Sequence, residues 1–204
     1  MFENELNKGK YKIKSFKKNT VIITSGTTPK SGGEAYTEDK ENGIPFIRSG
    51  EIGKKNFKNA LHIKSEIHNT VLKSSQLKKG DLLIAIVGAT IGEIGVFNSE
   101  NEGNINQAIA LVRLKETIIP EYAMFFLKSI FGKTILDKIK RPVARANINL
   151  DEIGTISIPV PPIEIQEKIN LHIKNIHKQA QTLKDKSKLA LQQANIEIEN
   201  LLLN

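Results

Sequence analysis

The sequence has no cysteine and no tryptophan, and aromatic residues make up only 5% of its 204 positions. Without thiols, disulfides, thiolate metal sites and cysteine nucleophiles are all excluded. The core must be packed mainly from aliphatic side chains, and an apolar fraction of 39% is adequate for that. Long apolar runs are missing too, since no stretch approaches the roughly 20 residues that span a bilayer. The segment from Met1 to Lys18 is charged and lacks the apolar centre of a secretory signal. With no thiol and no span, the expectation is a soluble chain in the cytoplasm, with no membrane partner.

Catalytic and cofactor signatures are also wanting. Gly132-Lys133-Thr134 has the ending of a phosphate-binding loop, but Leu127 stands where the first glycine is required. No Gly-x-Gly-x-x-Gly occurs. The surroundings of Pro161-Pro162 lack the Asn/Asp-Pro-Pro-aromatic set with which amino-methyltransferases hold a flipped base. His62, His68, His172 and His177 are isolated, and the last two fall on different faces of a helix. Carboxylates are scattered without the spacing of a nuclease metal site. The expectation is no enzyme, no cofactor and no metal.

What the chain does have is positive charge. Thirty basic against 22 acidic residues give +8. Residues 163–204 hold six lysines and five acids, so 24 basic and 17 acidic groups, a net +7, lie in residues 1–162. Lys8, Lys10, Lys12, Lys14, Lys17 and Lys18 come without an acid between them. Lys128, Lys133, Lys138, Lys140, Arg141 and Arg145 are opposed only by Asp137. Such patches suit a polyanion, because each neutralised phosphate releases counterions. A solvated lysine-rich surface has the same composition, so charge alone does not identify the partner.

Residues 1–160 read as an α+β domain. A β-like run ends at Val21-Ile22-Ile23-Thr24, and the turn-rich stretch 25–33 follows. Gly43 to Arg48 is a short strand. Lys78-Lys79-Gly80-Asp81 makes a turn into Leu82 to Val87, an apolar run short enough for a buried strand. Gly88-Ala89-Thr90 turns the chain back toward Phe97, and glycines at 92 and 95 suggest a bulge or a close backbone approach. Ile109 to Leu114 is another strand. Pro120-Glu121 opens a helix with Tyr122, Phe125, Phe126, Phe131, Ile135 and Ile139 on one face.

Residues 161–204 follow other rules. Pro159, Pro161 and Pro162 stop strand and helix alike and form a rigid joint before about forty helix-forming residues. Ile169, Ile173, Ile176, Ala180, Leu183, Ser187, Ala190, Ala194, Glu197 and Leu201 are spaced by alternating fours and threes, the seam of a coiled coil. Ile198 can replace Glu197 with a small rotation. A helix spanning roughly 60 Å cannot bury such a seam alone, so it needs a partner helix or must fold back on its own domain. A two-fold dimer is the simplest closed arrangement.

Ile158-Pro159-Val160-Pro161-Pro162, leading into Ile163-Glu164-Ile165-Gln166, resembles the end of a target recognition domain in specificity (S) subunits of type I restriction-modification systems. There a strand ending in Ile-Pro-x-Pro-Pro enters a helix opening Leu-x-Glu-Gln; here Ile163 replaces Leu, Ile165 replaces Glu, and Gln166 is kept. Ser25-Gly26-Thr27-Thr28-Pro29, Ile44 to Ile52, Lys79 to Ile84, Gly88 to Gly92 and Asn106-Gln107-Ala108 are similar to further family segments, in the same order. The match spans most of the chain and looks like one recognition domain and one helix of a subunit that typically has two of each.

The resemblance implies a catalytically silent reader of double-stranded DNA that directs modification (methyltransferase) subunits and, through them, a restriction subunit. S-adenosylmethionine and ATP would be bound by those other subunits. The implied contact candidates are Thr27, Thr28, Lys30, Arg48, Ser49, Thr90, Asn106, Gln107, Arg141, Arg145 and Asn147. Arginine can pair bidentately with guanine, and asparagine or glutamine with adenine. Other roles stay open: Thr27 and Thr28 can close a turn, Asn147 can cap one, and Gln107 can be an ordinary strand residue. Two such chains pairing antiparallel through the helix would read an inverted-repeat site with a gap. An assembly or regulatory adaptor with a degenerate DNA face is the competing reading.

Overall fold

The computed structural model describes residues 9–30, 33–53, 57, 59–140 and 147–203. The chain divides into two compact units, Met1–Ile163 and Glu164–Asn204.

In the first unit, strand β1 (Ile13–Ser15) and a single helical turn α1 (Phe16–Asn19) precede β2 (Thr20–Ser25). Then come β3 (Tyr36–Thr37), β4 (Ile44–Ile47), β5 (Leu61–Ile63), the short helix α2 (Ser65–Asn69), β6 (Leu82–Ala85) and β7 (Ile94–Val96). They are followed by β8 (Asn104–Ile105), β9 (Ile109–Leu114), helices α3 (Pro120–Lys128), α4 (Ile130–Ile139) and α5 (Leu150–Thr155), and β10 (Ser157–Pro159). The mixed α+β character expected from the sequence is present.

One four-stranded sheet has the order β2-β9-β6-β7, antiparallel throughout. A second has the order β3-β5-β4-β8, with β4 and β8 parallel. A two-stranded ladder pairs β1 with β10. The main core joins the two larger sheets. Leu83, Ala85, Ile109 and Leu111 from β6 and β9 pack with Ile47 from β4, Ile105 from β8, and Ile52, Leu77 and Phe97 from the connecting segments. Leu82 and Ile84, at the alternate positions of β6, are also fully buried, which explains an unbroken apolar run instead of an alternating one.

Polar groups set the turns that aim these strands. Asp81 is 1% exposed, and its carboxylate accepts from Arg113 Nε at 2.8 Å, Arg113 Nη2 at 2.7 Å and the Lys78 amide at 2.7 Å. That one side chain closes the turn before β6 and ties it to β9. Gly80, at φ +90, occupies a conformation that side-chain-bearing residues rarely adopt. Gly95 makes the close approach expected of it, since a Cβ there would lie 2.8 Å from the Gly53 amide nitrogen.

One segment differs from the sequence reading. The helix begun at Pro120 is two helices, because Ser129 is extended at φ −68, ψ 169 and its hydroxyl caps the second by accepting from the Gly132 amide at 3.4 Å. The apolar spacing continues across the break and so conceals it. The polar stretch 147–150 ends in a capping box: Asn149 Oδ1 accepts from the Glu152 amide, and Glu152 accepts from the Asn149 amide. Tyr122 in α3 donates to the Pro159 carbonyl at 2.8 Å. Burial, with a smaller contribution from Tyr11, pushes its hydroxyl up to about 12.

The second unit is one helix, α6 (Ile163–Leu203), of 41 residues. Every residue from Lys174 to Leu203 is exposed.

Candidate nucleic-acid interface

Strand direction places several loops together. β2 ends where β9 begins, at Ser25↔Ala110, and β9 begins beside the end of β6, at Ala85↔Ile109. β4 and β8 run in parallel and end together, at Ile47↔Ile105. The segments after β2, β4, β6 and β8 therefore all leave from one end of the two sheets.

Backbone hydrogen bonds link these segments into a continuous rim. The Asn106 amide donates to the Ile47 carbonyl at 3.1 Å, the Ile86 amide to Ala108 at 2.8 Å, and the Ile148 amide to Ile86 at 3.0 Å. Val87 and Asn147 form an isolated bridge. Gly26 closes the other side, for a Cβ on it would lie 1.8 Å from the Ile105 carbonyl oxygen. Only glycine permits that approach, and its φ is not positive, so space and not backbone conformation is the constraint.

Candidates dispersed over 120 residues of sequence sit on this rim. Thr27, Thr28 and Lys30 are exposed after Gly26, and the Thr28 hydroxyl donates to Gln107 Oε1 across the gap between loops. Gln107 is exposed, whereas Asn106 is half-buried and its Oδ1 accepts from the Ala108 amide at 3.2 Å. Asn106 thus shapes the loop, while Gln107 and Thr28 present the polar surface. Thr90 lies half-buried in the turn between β6 and β7, its carbonyl accepting from the Glu93 amide at 2.9 Å. Asn147 is exposed beside Val87, and the capping role belongs to Asn149 instead. Arg141 and Arg145 lie outside the described residues.

Arg48 and Ser49 follow β4. Glu51, 6% exposed, accepts from the Arg48 amide at 2.8 Å and from Arg48 Nη2 at 3.0 Å. The Arg48 side chain remains 50% exposed. A buried carboxylate holding one edge of a guanidinium leaves the planar group oriented, which is what a bidentate contact to a flat acceptor pair requires. The sequence reading did not single out Glu51; an acid three residues after the candidate arginine was the available signal.

Two lysines of the N-terminal cluster lie elsewhere. Lys17 and Lys18 precede Thr20, which pairs with Leu114 at the opposite end of the sheet from Ser25↔Ala110, about 17 Å away at strand rise. Among the described residues, Lys30 and Arg48 are the cations of the loops that make the rim, and Lys140 precedes the segment leading to Asn147. No cluster of metal-binding side chains occurs among the described residues.

The helix carries a second candidate surface. Ile176 and Leu183 of the seam are 48% and 67% exposed. A further apolar line escaped the sequence reading. Leu189, Ile196 and Leu203 recur every seventh residue on the side of the helix away from the seam, and all are exposed. No helix among the described residues is long and apolar enough to cross a membrane.

Comparison with known proteins gives these surfaces a context. The family model for the type I restriction modification DNA specificity domain matches residues 23–193. The chain is 30% identical over 161 residues to the type I restriction enzyme EcoBI specificity subunit of Escherichia coli, covering 78% of this chain and 34% of that protein. It is 26% identical over 225 aligned positions to the MjaVIII specificity subunit of Methanocaldococcus jannaschii, covering 100% of this chain and 52% of that one. The chain thus spans about a third to a half of the length of these curated relatives. The crystal structure of the HsdS subunit from Thermoanaerobacter tengcongensis is similar in fold, with a TM-score of 0.63 at 20% identity over 85% of this chain and 39% of that chain. A chain from a study of complex assembly and conformational transition in a type I R-M system gives 0.65 at 20% identity, over 85% of this chain and 40% of that chain. Specificity subunits are the non-catalytic members of their systems. With the model matched across residues 23–193 of 204, this chain belongs to the type I restriction modification DNA specificity domain family.

Proposed function

We propose that residues 1–160 read the sequence of double-stranded DNA through the rim, and that residues 161–204 pair with a second such helix and dock modification subunits. The observation that carries this reading is the convergence of five separate segments at one end of two sheets that share a core. Base readout needs several side chains held in fixed register at once, and short loops on a packed scaffold provide it. Thr27, Thr28, Arg48, Ser49, Gln107 and Asn147 present donors and acceptors to base edges. Lys30, Arg141 and Arg145 take phosphate or guanine, and Thr90 and Asn106 shape the loops beside them.

The seam of α6, exposed from Ile176 onward, supports pairing, because a lone helix cannot bury its own apolar stripe. Two copies joined antiparallel would carry identical readers related by a two-fold axis, so the site read would be an inverted repeat in two parts. The second apolar line is free to take the modification subunits, and through them a restriction subunit.

Band-shift titration in a salt series tests the reading. For a DNA reader, log affinity falls linearly with log salt, by about 0.9 for each phosphate contacted, and a preferred duplex outcompetes random duplex. Salt-independent or absent binding leaves only the assembly role. Sedimentation showing monomer alone at micromolar concentration removes self-pairing.

A further inference from the structure

The seam residues are not distributed evenly along α6. The large ones, Ile169, Ile173 and Ile176, occupy its first half, and the small ones, Ser187, Ala190 and Ala194, its second. Ala180 and Leu183 lie between them. Two such helices in parallel would stack isoleucine on isoleucine in three layers and alanine or serine on itself in three more. A single interaxial distance of about 8–10 Å cannot suit both halves. Glu197 would also face its own copy.

Antiparallel pairing removes the conflict in one register. We infer that, in the antiparallel pair proposed above, Ala180 of one copy lies opposite Leu183 of the other. Ile176 then faces Ser187, Ile173 faces Ala190 and Ile169 faces Ala194. Each layer joins one large and one small residue, and the two-fold axis repeats every layer, so the groove keeps a constant width. Sliding by one heptad toward the helix N-termini sets Leu183 against Ile173, and sliding toward the C-termini destroys the match. Ala180 would face Ala190 and leave a hole, Ile169 would face Leu201 and crowd it, and Glu197 would be pressed against Ile173, a carboxylate without a partner. In the favoured register Leu189, Ile196 and Leu203 stay outside the seam. Ile163 of one helix falls opposite Asn200 of the other, so the two helix starts lie about 55 Å apart along the axis, 37 residues at 1.5 Å each.

This inference rests on the self-pairing proposed above, and the test separates the two. The chain has no cysteine, so introduced pairs report without background. Within one helix, positions 173 and 190 are about 25 Å apart, too far to bridge internally. The double variant Ile173→Cys/Ala190→Cys should form a covalent dimer under mild oxidation, and either single variant should not. The pair Ala180→Cys/Ala190→Cys, which reports the slipped register, should also stay uncrosslinked. A covalent dimer from Ile173→Cys alone would mean parallel helices, and one from the 180/190 pair would mean the slipped register; each overturns the inference. If the unmodified chain sediments as a dimer but the 173/190 pair does not crosslink, the register is wrong and self-pairing stands. A chain that sediments only as monomer removes both.

Discussion

Replacing Gly26 with alanine tests both the rim and the way it is held. A Cβ at this position would lie 1.8 Å from the Ile105 carbonyl oxygen, 2.4 Å from the Ile105 carbonyl carbon and 2.7 Å from the Asn106 carbonyl oxygen. All three atoms are backbone, so no side-chain rotation relieves the contact. An ordinary carbon–oxygen contact needs roughly 3.3 Å, so one loop must retreat by about 1.5 Å. Overpacking of this kind costs about 1–3 kcal/mol. Retreat also strains the Thr28–Gln107 hydrogen bond and the last β2–β9 pair, Ser25↔Ala110, at about 1 kcal/mol for each bond lost. A total near 3 kcal/mol, with a urea dependence of about 2 kcal/mol per molar, lowers the unfolding midpoint by about 1.5 M. DNA discrimination should fall further than stability at temperatures where the variant is fully folded, because the loops on either side of Gly26 are the ones proposed to read bases. A variant that unfolds at the wild-type midpoint and keeps its preferred duplex would show that this contact neither exists nor matters.

Other perturbations separate scaffold from surface. Asp81→Ala leaves the Arg113 guanidinium largely buried without its carboxylate and opens the turn before β6, so chemical denaturation should show a loss of about 3 kcal/mol. Arg48→Ala takes the guanidinium away from the buried Glu51 carboxylate, so stability should fall by about 1–3 kcal/mol, and choice at one base position should relax by about 1–3 kcal/mol in competition binding where the variant is folded; a uniform loss on all duplexes would mark a phosphate contact instead. The Tyr122 hydroxyl, raised by burial to about 12, holds its proton more tightly folded than unfolded. Its contribution is therefore complete below pH 10 and lost as pH climbs toward 12. Tyr122→Phe should flatten the alkaline part of the stability profile, measured by unfolding at fixed temperature.

The parts of the fold that could be read from sequence are those where burial imposes a continuous or periodic pattern. Leu82 to Ala85 and Ile109 to Leu114 are apolar along their length because both faces are covered, and the observed strands fall within or on the predicted runs. β3, β5 and β8 have two or three residues each, too few for any period to show; tertiary pairing alone makes them strands. The break at Ser129 depends on one hydroxyl and a close approach of Gly132 to Leu127, where a Cβ would lie 2.2 Å from the Leu127 Cα, while the apolar spacing runs straight through. The Asn149-x-x-Glu152 box was readable in principle, as was the line through Leu189, Ile196 and Leu203.

The candidate site depended on more than local pattern. Thr28 and Gln107 are 79 residues apart, and no periodicity connects them. Their grouping came from the ordered resemblance to a family, and the structure supplies the physical reason in the shared core of two sheets. Buried polar residues were the harder part. Glu51, Asp81, His68 and Asn104 are all inside, and each holds a turn or a strand end, a role that composition does not announce. Asn104, for instance, bonds the Leu72 carbonyl at 2.9 Å and meets His68 through its side-chain oxygen.

Selection of bound duplexes from a fully randomised pool tests the central claim most directly. The enriched duplexes should carry two short half-sites in inverted orientation with an unread gap of fixed length, surviving at about physiological salt. Recovery of a pool indistinguishable from the input, or of one ungapped motif, would contradict it.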